Sequence, residues 1–461
     1  MKISGSLAEE KQYFRSAMLL EHNFDIVSRF ITVGGRDAAL YFVDGFVKDE
    51  LLEKMTEHFY KLTPEQLTDA GSFEASCVPY CEVMLVSERN DIISSVLSGM
   101  TAMLVDGFKA AVMMDLRTYP QRDTAEPDRD KVLRGSRDGF VETMVLSAAL
   151  IRRRIRDPHL CMEYHPVGRL SRTDTAICYI DGMADICLLD KIRKRISDAD
   201  IDALSMNQES MAELLTGKRR WNPYPRYKFT ERPDTAAAQI LKGDIVLLVD
   251  NSPSALILPA TMFDIVEDAN DYYFPPLTGA WLRLTRLLVM LLTLVLTPAW
   301  LLALRYPDAL PGCLEFVLLK ETPAVPVFLQ LLILEFVIDG LKLSSLNTPS
   351  MLNSSFGIIG AIILGDFAVQ SGWFCAEALL YMAFVAMANY SQPGYELGYA
   401  IKFMRIVLII LTAIFGIWGF IAGLALNLAA ILSTSTPAGK PYFWPIIPFS
   451  VSGVKKLLFR L

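Results

Sequence analysis

Phe42-Val-Asp-Gly-Phe-Val-Lys-Asp-Glu-Leu-Leu-Glu-Lys54 and Tyr179-Ile-Asp-Gly-Met-Ala-Asp-Ile-Cys-Leu-Leu-Asp-Lys191 align without a gap, at an offset of 137. Each stretch begins apolar, turns at Asp-Gly and continues with the apolar spacing of a helix. A second block repeats further along. Ile93, Leu97, Gly99, Leu104, Val105, Asp106 and Ala111 line up with Ala237, Leu241, Gly243, Leu248, Val249, Asp250 and Ala255, at an offset of 144. Two separated blocks at nearly one offset predict a duplicated α/β module. The aspartates at these turns read as turn formers that bond their own backbone, not as catalysts.

Working outward in the first copy, Ala38 to Gly45 predicts a buried strand and Asp49 to Leu62 a helix. Tyr80 to Val86 predicts a strand, and Asp91 to Leu97 a helix stopped at Gly99. Thr101–Asp106 and Ala110–Leu116 predict a hairpin around Gly107. Residues 1–36 yield only a mixed opening helix. Between the copies, a Pro- and Asp-rich loop leads to a helix from about Phe140 to Ile155. Its end carries Arg152, Arg153, Arg154 and Arg156, where the helix dipole favours cations. These four are candidate contacts for lipid phosphates or a neighbouring subunit, or else a solvated face paired with local acids.

Charge divides the chain. From Arg283 onward there are 11 Lys/Arg and 8 Asp/Glu, a net of +3, so the whole-chain value of −7 leaves −10 for residues 1–282. The first part reads as an acidic cytosolic protein and the second as a membrane protein. No basic patch is large enough for nucleic acid to be the partner. The opening residues are polar and no long apolar run precedes Leu287, so no secretory leader is expected. Trp281, Arg283 and Arg286 flank the first apolar run, Leu287 to Leu304, as residues at a cytosolic membrane interface do. Further runs are Val327–Leu341, two short ones at Phe356–Val369 and Phe374–Ala388, and Ile406–Leu432, read as one tilted crossing. Lys402 and Arg405 favour a cytosolic start for this last span, whereas Lys455, Lys456 and Arg460 favour a cytosolic end. One crossing cannot satisfy both. The expected organisation is 1–116, first α/β subdomain; 117–172, connecting loop and basic helix; 173–280, second α/β subdomain; and 281–461, an α-helical polytopic domain with about four or five membrane segments.

The stretch from Thr322 to Asn389 is where chemistry is expected. Glu335, Asp339, Asp366 and Glu377 lie in or beside apolar runs, and carboxylates at such depth face a bundle interior or a water-filled path. Glu335 and Asp339 are four residues apart, on one helical face. They should look toward the centre of an oligomer, or toward Lys342 and neighbouring helices. Ser344, Asn347, Asn353 and Ser354 supply oxygens able to replace an ion's hydration shell. An ion or small-solute pathway and ordinary buried polar contacts both fit this pattern. A loop in water also fits the Ser/Asn stretch.

No Gly-x-x-x-x-Gly-Lys-Ser/Thr loop, His-Glu-x-x-His or Gly-x-Ser-x-Gly elbow occurs, so no enzyme is expected. Seven cysteines are scattered and only four histidines are present. Cys77 and Cys81 have no histidine nearby, so neither a metal site nor a cofactor is expected.

Glu231-Arg-Pro-Asp-Thr-Ala-Ala-Ala-Gln-Ile-Leu-Lys-Gly-Asp-Ile-Val-Leu-Leu-Val-Asp-Asn-Ser-Pro-Ser-Ala-Leu-Ile-Leu-Pro259 resembles the A subunits of spore germinant receptors. So do Val132-Leu-Arg-Gly-Ser-Arg-Asp-Gly-Phe-Val-Glu-Thr143 and Leu150-Ile-Arg-Arg-Arg-Ile155. Arg117-Thr-Tyr-Pro120, Tyr395-Glu-Leu-Gly398 and the short tail through Tyr442-Phe-Trp-Pro-Ile-Ile-Pro-Phe449 resemble the family's sporulation-stage branch. The resemblance implies a multi-pass protein of the spore inner membrane with a cytosolic N-terminal region. It implies homo-oligomers around an ion-conducting pore, lipid contact and other integral membrane germination proteins as partners. A non-conducting scaffold, or a subunit of the calcium–dipicolinate transport machinery, is the alternative. Receptor A subunits tend to carry Arg-Glu and further arginine after the position of Glu335. This chain has Glu335-Phe-Val-Ile-Asp-Gly-Leu-Lys342, so the resemblance implies nothing here about receptor gating or ion preference.

Overall fold

The computed structural model describes residues 1–78, 82–118, 132–133, 135–216, 222–320, 323–347, 368–437, 439 and 441–459. It contains two compact units, Met1–Lys218 with Tyr227–Pro259, and Arg219–Arg226 with Ala260–Leu461.

In the first unit, β1 (Ile26–Val33), β2 (Arg36–Val43), β3 (Val83–Val86), β4 (Thr101–Val105) and β5 (Ala111–Met114) form an antiparallel sheet in the order β1-β2-β4-β5-β3. A second sheet of β6 (Leu160–Val167), β7 (Thr173–Ile180), β8 (Lys228–Thr230), β9 (Ile245–Val249) and β10 (Ala255–Leu258) has the order β6-β7-β9-β10-β8. The repeat extends to register. Ala38 pairs with Val105, and their counterparts in the second copy, Thr175 and Val249, pair in the same way. Phe42-Val43 and Tyr179-Ile180 close equivalent second strands.

Helices cover both faces of each sheet, so the inner strands are apolar on both faces instead of alternating. In β2, Ala39, Tyr41 and Val43 meet α1 (Leu7–Ala17) and α4 (Arg89–Leu97). Leu40 and Phe42 meet α2 (Asp49–Phe59) and α3 (Ala70–Cys77). Likewise α5 (Met144–Arg154) and α8 (Pro233–Ile240) pack on one face of the second sheet, while α6 (Ile186–Ser197) and α7 (Asn207–Thr216) complete the unit.

The second sheet begins at Leu160, upstream of the expected boundary at 173. Glu163, His165 and Pro166 interrupt the apolar pattern of β6, an edge strand whose polar side chains find local partners. Glu163 accepts from Tyr179 at 2.6 Å and from the Arg193 guanidinium. Burial alone would raise its pKa, but hydrogen bonds from His165, Arg193 and Tyr179 hold it well below the usual carboxylate range. Edge strand β1 is hidden in the sequence for the same reason, because Ser28, Arg29 and Thr32 mask its alternation.

The arginine cluster at the end of α5 disperses. Arg152 is fully buried. It donates to both carboxylate oxygens of Asp25 at 2.7 and 2.9 Å, to Asn23 Oδ1 at 3.1 Å and to the Leu160 carbonyl at 3.0 Å. These bonds tie the segment entering β1 to the start of β6, joining the two modules. Arg154 reaches Asp138 and Ser136, both at 2.9 Å, while Arg153 and Arg156 are exposed. Arg152 is therefore spent on partners in the interior.

In the second unit, α9 (Met262–Val266) and α10 (Asn270–Tyr273) precede α11 (Pro276–Arg305). Next come α12 (Val327–Asn347), α13 (Ala376–Tyr390), α14 (Tyr395–Phe415), α15 (Ile417–Ser433) and α16 (Val451–Phe459). By length and composition, α11 and α14 suffice to cross a bilayer, and the shorter α13 and α15 are also apolar.

Ile406–Leu432 is not one span. Gly416, at φ 62° and ψ −133°, breaks it into a helical hairpin, a backbone shape that glycine adopts without strain. Gly419 lies so close to α14 that a Cβ would stand 1.9 Å from the Leu411 carbonyl oxygen, and one on Gly423 would stand 2.3 Å from Leu408 Cδ1. This small-xxx-small pattern lets two helix backbones approach. Ile431 packs beside Leu397 and Ile401, so the hairpin's two ends lie together. The start of α14 and the chain after α15 therefore lie at one end of the helical unit.

Because Arg152 is buried with its acid, removing it leaves Asp25 uncompensated. Arg152→Ala is expected to destabilise the first unit by about 3–5 kcal/mol, measured by urea unfolding of a fragment of residues 1–259. Arg153→Ala should shift the same transition by less than about 0.5 kcal/mol.

Candidate functional site

The second unit places its charges where two antiparallel helices meet. Glu335 of α12 and Arg405 of α14, far apart in the chain, are 2 % and 0 % exposed. They form a bidentate pair, Nε to Oε1 at 2.6 Å and Nη2 to Oε2 at 2.9 Å. Arg405 Nη1 also donates to the Thr293 carbonyl of α11 at 3.2 Å, so one guanidinium touches three helices. One turn along, Lys402 donates to the Glu335 carbonyl at 3.1 Å and forms an ion pair with Asp339. A turn further, Lys342 Nζ lies 4.7 and 4.4 Å from the ring centroids of Tyr395 and Tyr399.

Two carboxylates thus face two cations, Arg405 and Lys402, in formally neutral ion pairs, with Lys342 a third cation beside them. The two pairs differ in surroundings. Glu335 is sealed, whereas the Asp339 side chain is 34 % exposed. Asp339, Lys342, Asn389, Tyr399 and Lys402 line a cavity of about 20 Å³, the volume that one water occupies. The shared face of Glu335 and Asp339 looks at α14, while Lys342 sits against the two tyrosines.

The remaining candidates do not join this cluster. Glu377 is half-buried in the first turn of α13, where the helix dipole favours an acid. Asn389, at the Asp339 cavity, is near the opposite end of α13, about 18 Å away at the helical rise. Ser344 is half-buried near the end of α12, and Asn347 is its last residue. Asn353, Ser354 and Asp366 lie outside the described residues.

Sequence reasoning missed Lys402 and Arg405 as site residues, because they pass for topogenic flanking charges. Their spacing of three within an apolar helix was the available signal, since a cation at that depth requires an acid opposite. Arg283 and Arg286, which read as an interface flank, also have inward partners: they hold the turn before α11. Arg286 donates to the fully buried Asp271 at 2.9 and 3.2 Å, and Arg283 to Glu267 at 2.9 Å. Among the described residues no group of His, Cys, Asp and Glu could hold a metal ion.

A repeated antiparallel α/β unit joined to helices of membrane-crossing length with a neutralised charge cluster defines a two-part protein class. The family model of the Bacillus/Clostridium GerA spore germination protein matches residues 15–461, and the chain belongs to this family. It is similar to stage V sporulation protein AF of Bacillus subtilis (strain 168), 35% identical, covering 98% of this chain and 92% of that protein. Spore germination protein KA of the same organism is 27% identical, covering 95% and 81% respectively. The crystal structure of the N-terminal domain of the A subunit of the Bacillus megaterium spore germinant receptor GerK3 matches with 26% identity and a TM-score of 0.44, over 56% of this chain and 96% of that one.

Truncating one member of the Glu335–Arg405 pair strands the other charge, whereas removing both takes the two opposite charges out together and leaves Lys402 its pairing with Asp339. Glu335→Leu and Arg405→Leu should each cost about 3–5 kcal/mol, seen as a large fall in the thermal-unfolding midpoint of detergent-purified protein. The double variant should recover most of that loss, a coupling that additivity of independent sites would not produce.

Proposed function

We propose that this chain is an oligomeric cation channel, or a channel-like component, of the spore inner membrane that acts in germination. On this reading the protein is multi-pass, its first unit is cytosolic, and other integral membrane germination proteins are its partners. Family membership and the names of its relatives, a stage V sporulation protein and spore germination proteins, support the setting. The observation that carries the reading is the pair of unequal ion pairs on one helix face. Ionisable groups inside apolar helices are costly and mark ion pathways. Glu335 with Arg405 is a fixed strut. Asp339 with Lys402, partly exposed beside a water-sized cavity, is the pair that can part to admit a cation.

The neutrality of the two ion pairs favours a second reading, a non-conducting scaffold that gathers germination proteins. All four charges are then used only to hold helices together.

Flux from liposomes containing the purified protein separates the two. A channel gives cation flux in the wild type and at least a several-fold change in Asp339→Asn at equal protein content, with thermal stability nearly unchanged. A scaffold gives no flux in either. Flux that is present but identical in Asp339→Asn would remove Asp339 from the pathway while leaving the channel itself.

A further inference from the structure

At the end of the second unit where the start of α14 and the end of α15 lie together is an apolar cavity of about 370 Å³, in the size range of small-molecule pockets. Met262, Phe263, Met290, Leu294, Ile401 and Leu457 are among its walls. Its phenol-bearing wall residue, Tyr224, spends its hydroxyl on Asn427 Oδ1 at 2.7 Å. The walls therefore offer hydrocarbon and thioether to an occupant, with that hydroxyl already engaged. A polar metabolite would lose its hydration there without compensation.

The cavity's place along α11 narrows the choice. Leu287, Met290 and Leu294 are walls, and they form the first turns of the apolar run that follows Trp281, Arg283 and Arg286. Around the same end, Trp281, Trp444, Phe449 and Val451 are exposed by 66, 40, 72 and 58 %. Such a belt of exposed aromatic and apolar groups is characteristic of a bilayer interface. The short helix α16 covers the cavity with Val454 and Leu457, three residues apart on one face, while Lys455 is exposed. An apolar underside and a cation on the outer side are how a helix lies among lipid headgroups.

We infer that this cavity receives one acyl chain of a membrane phospholipid, with α16 as its cover and the headgroup on the side of Lys455. The inference rests on the membrane insertion proposed above. Met262 and Met290 are unbranched and polarisable, suited to walls that adapt to a flexible chain. An occupied cavity ties α9, α11, α14 and α16 into one apolar block. An empty one leaves those walls without partners on one side.

The test uses the full-length protein in phosphatidylcholine vesicles doped with a phosphatidylcholine that carries a diazirine in one acyl chain. Adducts are mapped by mass spectrometry after irradiation. Leu288, exposed on α11 and not a wall of the cavity, reports contact with bulk lipid. The expected result is adducts at Leu288 and also at Met262 and Phe263. Met290→Trp and, independently, Ile431→Phe should lower the Met262 and Phe263 adducts at least fivefold and leave Leu288 unchanged. Adducts at Leu288 with none at Met262 or Phe263 would overturn the acyl-chain site alone. So would adducts at those two residues that both filling variants leave unchanged. Absence of label at Leu288 as well would overturn membrane insertion, and the acyl-chain site with it.

Discussion

The bidentate bond between Glu335 and Arg405 fixes the register of the helical unit. Both groups are out of water, so the bond adds little net stability over a pair of apolar side chains. What it supplies is a condition on alignment, since a shift of α12 against α14 by one residue would strand two buried charges. The neighbouring contacts follow in step. Asp339 meets Lys402 and Lys342 meets Tyr399 and Tyr395, descending one helix as they climb the other. Through the Thr293 carbonyl the same guanidinium draws in α11. Three helices thus take their positions from one side chain.

The first unit solves the alignment problem differently, through repetition. Its two sheets keep identical strand orders and equivalent pairings although the offset between the copies widens along the chain. The added residues fall between β7 and β9, in connections that carry no ladder bonds. Strand pairing is set by which side chains must be buried, and a loop can lengthen without disturbing it. The fully buried Arg152, together with the backbone bonds between Phe24, His22 and Met162, then holds the copies to each other.

The inner strands were legible in the sequence because helices bury both of their faces, which turns them into continuous apolar runs such as Ala38–Val43. The edge strands β1 and β6 were not, because the adjacent pairs Ser28-Arg29 and His165-Pro166 put non-apolar residues on both rows and break the alternation. In the helical unit, the carboxylates stood out against apolar neighbours, but their partners are remote in the chain, Arg405 lying 70 residues beyond Glu335. Local spacing gives no distance information of that kind. The hairpin was hidden for a related reason. Ile406–Leu432 is apolar enough for one span, and whether Gly416 ends a helix depends on a neighbour close enough to make glycine necessary at Gly419 and Gly423.

The close approach at Gly419 and Gly423 has a mechanical consequence. With backbone atoms in near contact, α14 and α15 cannot slide or rotate past each other without collision, so the hairpin behaves as one stiff body. Deformation of the helical unit is then directed to the opposite face of α14, at the end beyond the Glu335–Arg405 strut, where Asp339 and Lys342 of α12 make ionic and aromatic contacts beside a small void. Contacts of that kind break and re-form one at a time, as discrete steps. The unit therefore has a rigid half and a compliant half, and the dividing surface runs along α14.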